Sequence, residues 1–290
     1  MVSAVIAGST ALAACSGDDG NDNNAAKPQP SVTADPALAA KVPDAIKADG
    51  KIVAGTEATY APMEFLDADG KTVIGVDVDL FKAVAARLGL QAEFQQSTFG
   101  DIIPGVGTGK YEAGVSAFTV NKERIQQANM TTYFNAGTQW ATKKGNPSGV
   151  STDEPCGKNI AVQKDTVQFD DITVRSSACT SAGKPAVTIH PYPGQDAAAN
   201  AVVSGKDDAM LADSPVVAYA VKQTNGQLET LGDVYDSAPY GYVVAKPDTQ
   251  FAEALRASVQ SLIDDGSYQK ILENWNVQSG AIKTSQVNPS

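Results

Sequence analysis

The chain has 290 residues, enough for one large domain or two lobes, and its 42% hydrophobic and 19% charged residues describe a globular protein with a real core. A formal net charge of −11 argues against a nucleic-acid binder, which needs clustered Lys and Arg to face phosphate. No apolar run reaches the roughly 18–20 residues of a membrane span.

Met1 to Ala14 is small and apolar and ends Leu12-Ala13-Ala14-Cys15. That ending resembles a bacterial lipobox, in which the peptide before the Cys is removed and the thiol takes up diacylglycerol. No Lys or Arg precedes the apolar stretch, so the true start of the signal stays open. Residues 1–15 are read as a lipoprotein signal. Residues 16–36, rich in Gly, Asp, Asn and Pro, are too polar to fold and suit a disordered tether. With Cys15 lipidated, Cys156 and Cys179 remain as a pair in an oxidising, extracytoplasmic setting, where a disulfide is the default. There is no Cys-x-x-Cys, and His190 is the one histidine, which leaves neither a zinc site nor thiol catalysis. No metal or cofactor is expected.

Along the chain, Leu38, Val42 and Ile46 predict a helix over Pro36–Asp49, which Gly50 stops. Lys51–Gly55 reads as a strand. The stretch Gly55-Thr-Glu-Ala-Thr-Tyr-Ala-Pro-Met-Glu64 that follows puts an acid, two hydroxyls and a ring into one loop. Loops after strands are where α/β proteins tend to bind small molecules. Ala68-Asp69-Gly70 is a turn before a short strand at Val73-Ile74, and Asp77 or Asp79 is placed to cap a helix carrying Leu80, Phe81, Val84, Ala85 and Leu88. Strands are expected at Gln91–Gln96 and Lys110–Phe118, with helices around Asp101–Val106 and from Asn121. The alternation restarts after Cys156. Strands fall at Asn159–Gln163, Val187–His190 and Asp208–Leu211, and helices run from Thr166, over Gln195–Ser204 and over Asp213–Gln223. Two amphipathic helices flank Asp265-Gly266 in the tail. Alternating strands and helices imply an α/β fold with a largely parallel sheet, in two units of ordinary domain size.

Over roughly Lys51 to Val277 the residues resemble the extracytoplasmic solute-binding proteins of polar amino-acid ABC importers, solute-binding family 3. The similarity rests on motifs in order: Gly-Thr-Glu-Ala-Thr-Tyr-Ala-Pro at 55–62, Gly-Val-Asp-Val-Asp-Leu at 75–80, Gly-Lys-Tyr-Glu-Ala at 109–113 and Asn121-Lys-Glu-Arg124. Val162-Gln-Lys164, Ala212-Asp-Ser-Pro215, Pro239-Tyr-Gly241 and Asp265-Gly-Ser-Tyr-Gln-Lys-Ile271 follow. The resemblance implies a two-lobed type II periplasmic-binding-protein fold with two chain crossings, near Ala136–Gln139 and Asp236–Tyr240. Lobe 1 would comprise 37–137 and 238–277, lobe 2 would comprise 138–237, and 278–290 would form a C-terminal tail.

By the same resemblance Arg124 takes the α-carboxylate of a free amino acid, since a guanidinium fork fits two oxygens. Ser116, Ala117 and Thr119 add hydroxyl or backbone donors, Asp213 takes the α-ammonium from the second lobe, and the rings of Tyr60 and Phe99 flank the ligand side chain. Gln163, Thr166, Val167 and Gln195 are expected to reach the cleft. Glu57 facing the cleft would favour a polar or basic ligand and repel an acidic one. Two positions depart from the family pattern. Asp165-Thr166-Val167 replaces a Gly-Thr-Thr loop, which puts that part of the carboxylate contact in question, and Met63 stands where an aromatic is common. The expected function is a lipid-anchored monomeric receptor, not an enzyme, that delivers an amino acid to an ABC permease. The alternatives are a cyclohexadienyl dehydratase with Glu57 as general acid and a ligand-sensing module for a membrane kinase.

Overall fold

The computed structural model describes residues 28–289. Cys15, the signal reading and most of the expected tether lie outside them. Of that tether, Gln29 donates to Asp79 at 2.6 Å and Val32 packs on the core. Two short helices, α1 (Pro36–Ala39) and α2 (Asp44–Lys47), stand where one was expected. Pro43 lacks an N–H and disfavours helix in the residue before it, so the helix breaks there.

Strand β1 (Lys51–Thr56) runs into a small antiparallel sheet of β2 (Thr59–Tyr60), β3 (Glu64–Leu66) and β4 (Val73–Ile74). Helix α3 (Val76–Arg87) follows and buries Leu80, Phe81 and Val84. Its N-cap is Gly75, not Asp77 or Asp79. Gly75 has φ 137°, and a Cβ there would stand 2.1 Å from the Met63 carbonyl oxygen, so only glycine fits this corner. Next come β5 (Gln91–Gln96), α4 (Phe99–Gly107), β6 (Ala113–Gly114) and α5 (Lys122–Gln127). The strand expected over Lys110–Phe118 shrinks to β6, because Ser116 and Ala117 turn away from the ladder and Ala117 takes φ 46°.

The chain then enters a 16-residue strand, β7 (Ala128–Lys143), which periodicity did not reveal. It is buried on both faces over most of its length, so it lacks polar–apolar alternation. After β7 come β8 (Asn159–Gln163), α6 (Val167–Ser181), β9 (Thr188–Tyr192), α7 (Gln195–Ser204), β10 (Ala209–Asp213) and α8 (Ser214–Gln223). An 18-residue strand, β11 (Leu228–Ala245), returns antiparallel to β7, and α9 (Thr249–Asp264) and α10 (Ser267–Asn274) close the fold. Among the described residues no helix is long and apolar enough to cross a membrane.

The strand order β5-β1-β6-β11-β7-β10-β8-β9 shows how two lobes arise from one ladder. Parallel β1, β5 and β6 join through Gly114 opposite Val243, near the end of β11. Parallel β8, β9 and β10 join through Asp213 to Ala209 opposite Thr138 to Thr142, toward the other end of β7. The β7–β11 ribbon is therefore the shared spine, with one lobe at each end. Its register slips between Leu231 and Tyr235 and again between Tyr235 and Ala238. Opposite that irregularity a Cβ on Gly137 would lie 2.6 Å from the Tyr235 carbonyl oxygen, so the two strands approach closely only because residue 137 has none.

Cys156 and Cys179 form a disulfide, tying the segment before β8 to the last turns of α6 across 23 residues. In the chain-entropy account a loop of this length contributes about 3 kcal/mol. Replacing both cysteines by serine is expected to lower the unfolding free energy by about that amount in urea titration and, by releasing the unfolded chain, to steepen the slope.

Candidate functional site

A small cavity lies between the lobes beside the β7–β11 spine. Glu57, Tyr60, Phe99, Ser116, Ala117, Thr119 and Arg124 line it from the first lobe. Gln163, Thr166, Val167 and Asp213 line it from the second. These eleven residues are spread over 157 positions of sequence yet arrive together because β1, β6, β8 and β10 all end at this level.

Three buried charges stand in the wall. Arg124, on α5, is 9% exposed, and its guanidinium stacks over Phe99 and Phe118 at 5.4 and 5.5 Å. It donates to the carbonyls of Thr119 at 2.8 Å and, across the gap, of Asp165 at 3.4 Å. Burial lowers its pKa, opposed by the Asp213 charge. Asp213 ends β10 at the N-cap position of α8 but makes no capping bond. Its carboxylate instead accepts from Tyr60 Oη and Gln168 Nε2, both at 2.9 Å, and burial pushes its pKa up. Glu57 accepts from Thr59 Oγ1 and, from the other lobe, Gln163 Nε2, each at 2.9 Å. Burial raises its pKa too, against the pull of those two donors. Among the described residues, the hydrogen-bond partners of all three charges are neutral.

The altered loop keeps its shape. Asp165 takes φ 64°, the left-handed conformation that glycine adopts freely and that Asp tolerates better than most residues. Thr166 then caps α6, its Oγ1 accepting from Phe169 N at 3.2 Å and donating to the Gln163 carbonyl at 2.7 Å. The carbonyl of Asp165 is thereby turned to Arg124. Met63 is fully buried in the core, consistent with a packing role.

Two expectations are corrected. Gln195 does not line the cavity: its side chain turns to Met210 Sδ at 3.6 Å, while its backbone N–H bridges the lobes to Thr59 Oγ1 at 3.0 Å. The Ser116 hydroxyl is not free for a ligand, since it donates to Glu64 Oε1 at 2.9 Å and accepts from Glu57 N at 3.0 Å. Two lining residues, Glu64 and Gln168, escaped the sequence reading. Gln168 lies in the first turn of α6, two residues beyond Thr166, and joins Asp213 to Thr138 Oγ1 on the spine. A helix start carrying an amide was the available signal. Glu64 closes the 55–64 stretch, and nothing in its spacing separates it from a surface acid.

Comparison with known proteins identifies the family of the chain. The sequence pattern of the bacterial extracellular solute-binding proteins, family 3, matches residues 52–278. An arginine-binding protein of Corynebacterium glutamicum is 37% identical over 254 residues, 87% of this chain and 83% of that protein. A glutamine-binding ABC transporter protein of Bacillus subtilis is 27% identical over 268 residues, covering 91% of each. Among solved structures, an ancestral arginine-binding protein bound to arginine superposes with a TM-score of 0.72 at 32% identity, covering 78% of this chain and 98% of that one.

The hydroxyl of Tyr60 both donates to the Asp213 carboxylate and accepts the Asp213 N–H, at 3.0 Å. Tyr60→Phe leaves two buried polar groups short of a partner and is expected to cost about 1–3 kcal/mol in urea unfolding of the ligand-free protein.

Proposed function

Because the chain belongs to the bacterial extracellular solute-binding proteins, family 3, we propose that it is a receptor for a free cationic amino acid, with L-arginine the first candidate. It closes two lobes around the ligand and delivers it to an ABC permease in the membrane. One observation supports this reading above the others: Arg124, Asp213 and Glu57 are buried in the cavity wall with neutral partners. A buried charge is costly unless paired. An amino acid supplies a carboxylate for Arg124 and an ammonium for Asp213. A cationic side chain supplies the third counter-charge, for Glu57. An acidic side chain would place a second anion beside Glu57 and leave it unpaired.

The lobes take the boundaries read from the sequence, 37–137 with 238–277 for the first and 138–237 for the second. The irregular stretch of the spine around Gly137 and Asp236 acts as the hinge. The receptor works as a monomer held to the membrane through lipid on Cys15. Ligand binding replaces the direct bonds between lobes, Glu57 to Gln163 and Tyr60 to Asp213, with bonds through the ligand, so occupancy and closure are coupled.

A thermal-shift series with the protein amino acids tests the ligand. Stabilisation follows RT ln(1 + [L]/Kd), about 2.7 kcal/mol at a hundredfold excess over Kd. L-arginine is expected to give a large shift, abolished in Arg124→Ala and in Asp213→Ala. Glu57→Gln is expected to weaken arginine more than tenfold and glutamine much less, since it removes a buried charge partner worth a few kcal/mol. A shift with glutamate larger than with arginine would overturn the reading. For the anchor, metabolic labelling with a radioactive fatty acid is expected to mark the wild type and not Cys15→Ser.

A further inference from the structure

Glu64 and Asp77 are the most deeply buried acids near the cavity, and the ligand contacts proposed above do not use them. Glu64 is 1% exposed and Asp77 is fully buried, and the two are held at adjacent residues of one corner, Glu64 by the Ser116 hydroxyl and Asp77 by the Ala117 N–H. Their bonds are unequal. Asp77 Oδ2 accepts two donors, the Ala117 N–H at 2.9 Å and the Tyr133 hydroxyl at 2.5 Å. Glu64 Oε1 accepts one, the Ser116 hydroxyl. The oxygens left without a donor among the described residues are Glu64 Oε2 and Asp77 Oδ1. Two adjacent buried carboxylates cannot both stay ionised at small cost, and one proton between the undonated oxygens satisfies both. The better-donated Asp77 is the ionised partner, and Glu64 carries the proton.

We propose that Glu64 and Asp77 share a single proton and act as a positioning pair that holds the Ser116–Ala117 corner of the binding cavity. This rests on the reading of Ser116 and Ala117 as walls of the ligand site. The corner needs holding because Ala117, at φ 46°, occupies a left-handed conformation unfavourable for an L-residue with a Cβ by about 1–2 kcal/mol. Both residues of the corner are gripped by the pair, Ser116 through its hydroxyl and Ala117 through its N–H. Ser116 passes the grip on to Glu57 by accepting its N–H. The groups facing the pair are Glu57 from the loop after β1, Tyr60 from β2, Tyr133 from β7, and Tyr242 from β11. Burial pushes Asp77 up to about 7, against its donors, and pushes Glu64 well above the ordinary carboxyl value, aided by the Asp77 charge. Raised values mean that the contribution to the fold is present at low pH and lost as pH rises through the folded titration. Loss of the last proton sets two anions against each other and releases the corner.

Glu64→Gln mimics the protonated acid, its carbonyl accepting from Ser116 and its amide donating to Asp77. The first measurement is the ¹H–¹⁵N shift of the Ala117 amide in the ligand-free protein from pH 5 to 10. Beyond the Asp77 titration near 7, a second step at higher pH is expected in the wild type, and only the Asp77 step in Glu64→Gln. The second is calorimetric titration with L-arginine from pH 7 to 9.5, which separates this effect from titration of the ligand by comparing the two proteins. The wild-type affinity, relative to that of Glu64→Gln, is expected to fall above the second step by up to about tenfold per pH unit, the limit for one required proton. An Ala117 amide with no second step above that of Asp77, or with the same second step in both proteins, would overturn the proposal, as would an affinity ratio constant with pH. Absence of arginine binding at every pH would instead sink the ligand reading, and the amide titration would still decide the pair.

Discussion

The constraint on which this structure depends is that a buried guanidinium and a buried carboxylate face one cavity without pairing with each other. Arg124 is held by carbonyl oxygens and Asp213 by a phenol and an amide. Each group is positioned yet not neutralised, a costly state in a folded protein. Much of the fold serves to keep them apart. Arg124 sits on α5 just before the spine and is fixed by the stacked Phe99 and Phe118, whose ring centroids lie 4.6 Å apart. Asp213 sits where β10 gives way to α8, and its place at the helix start brings the electropositive end of that helix to a carboxylate.

The spine converts this local arrangement into a device with two lobes. Because β7 and β11 belong to both halves of the sheet, the lobes are joined through one continuous ladder whose register is irregular in the middle. The gap is spanned by Glu57 to Gln163, Tyr60 to Asp213, Gln195 N to Thr59, and Arg124 to the Asp165 carbonyl. Each such bond contributes about 0.5–1.5 kcal/mol net, or 1.5–3 where a charge takes part. Glu57, Asp213 and Arg124 among these groups also line the cavity, so contacts across the gap and contacts to a ligand would draw on the same three side chains. A ligand shifts the balance only by what it adds beyond them.

The sequence carried the site better than the frame. Glu57, Arg124 and Asp213 were legible because each lies in a short run whose order along the chain resembles a family, and order survives where individual motifs are weak. The two longest strands left no comparable trace. Ala128–Lys143 and Leu228–Ala245 hold Ala, Thr, Asn, Gly and Tyr with no period of two, since their burial is set by two lobes and a cleft and not by one core face. Glu64 was invisible for a different reason. An acid between Met63 and Phe65 reads the same in a strand edge as in a core, and only the arrival of Asp77 and Ser116 from distant positions makes it a buried acid with a partner.

The Asp165 loop shows how a departure from pattern is absorbed. What a glycine supplies at such a turn is a left-handed backbone, and Asp165 supplies the same conformation at φ 64° at a cost that a short polar side chain keeps modest. The carbonyl that faces Arg124 is aimed by that backbone and not by the side chain. The Asp165 carboxylate lies at the edge of the first lobe, where a Cβ on Gly100 would stand 2.6 Å from it. The substitution has therefore moved an acid into the seam between α4 and the second lobe without changing the loop it stands in.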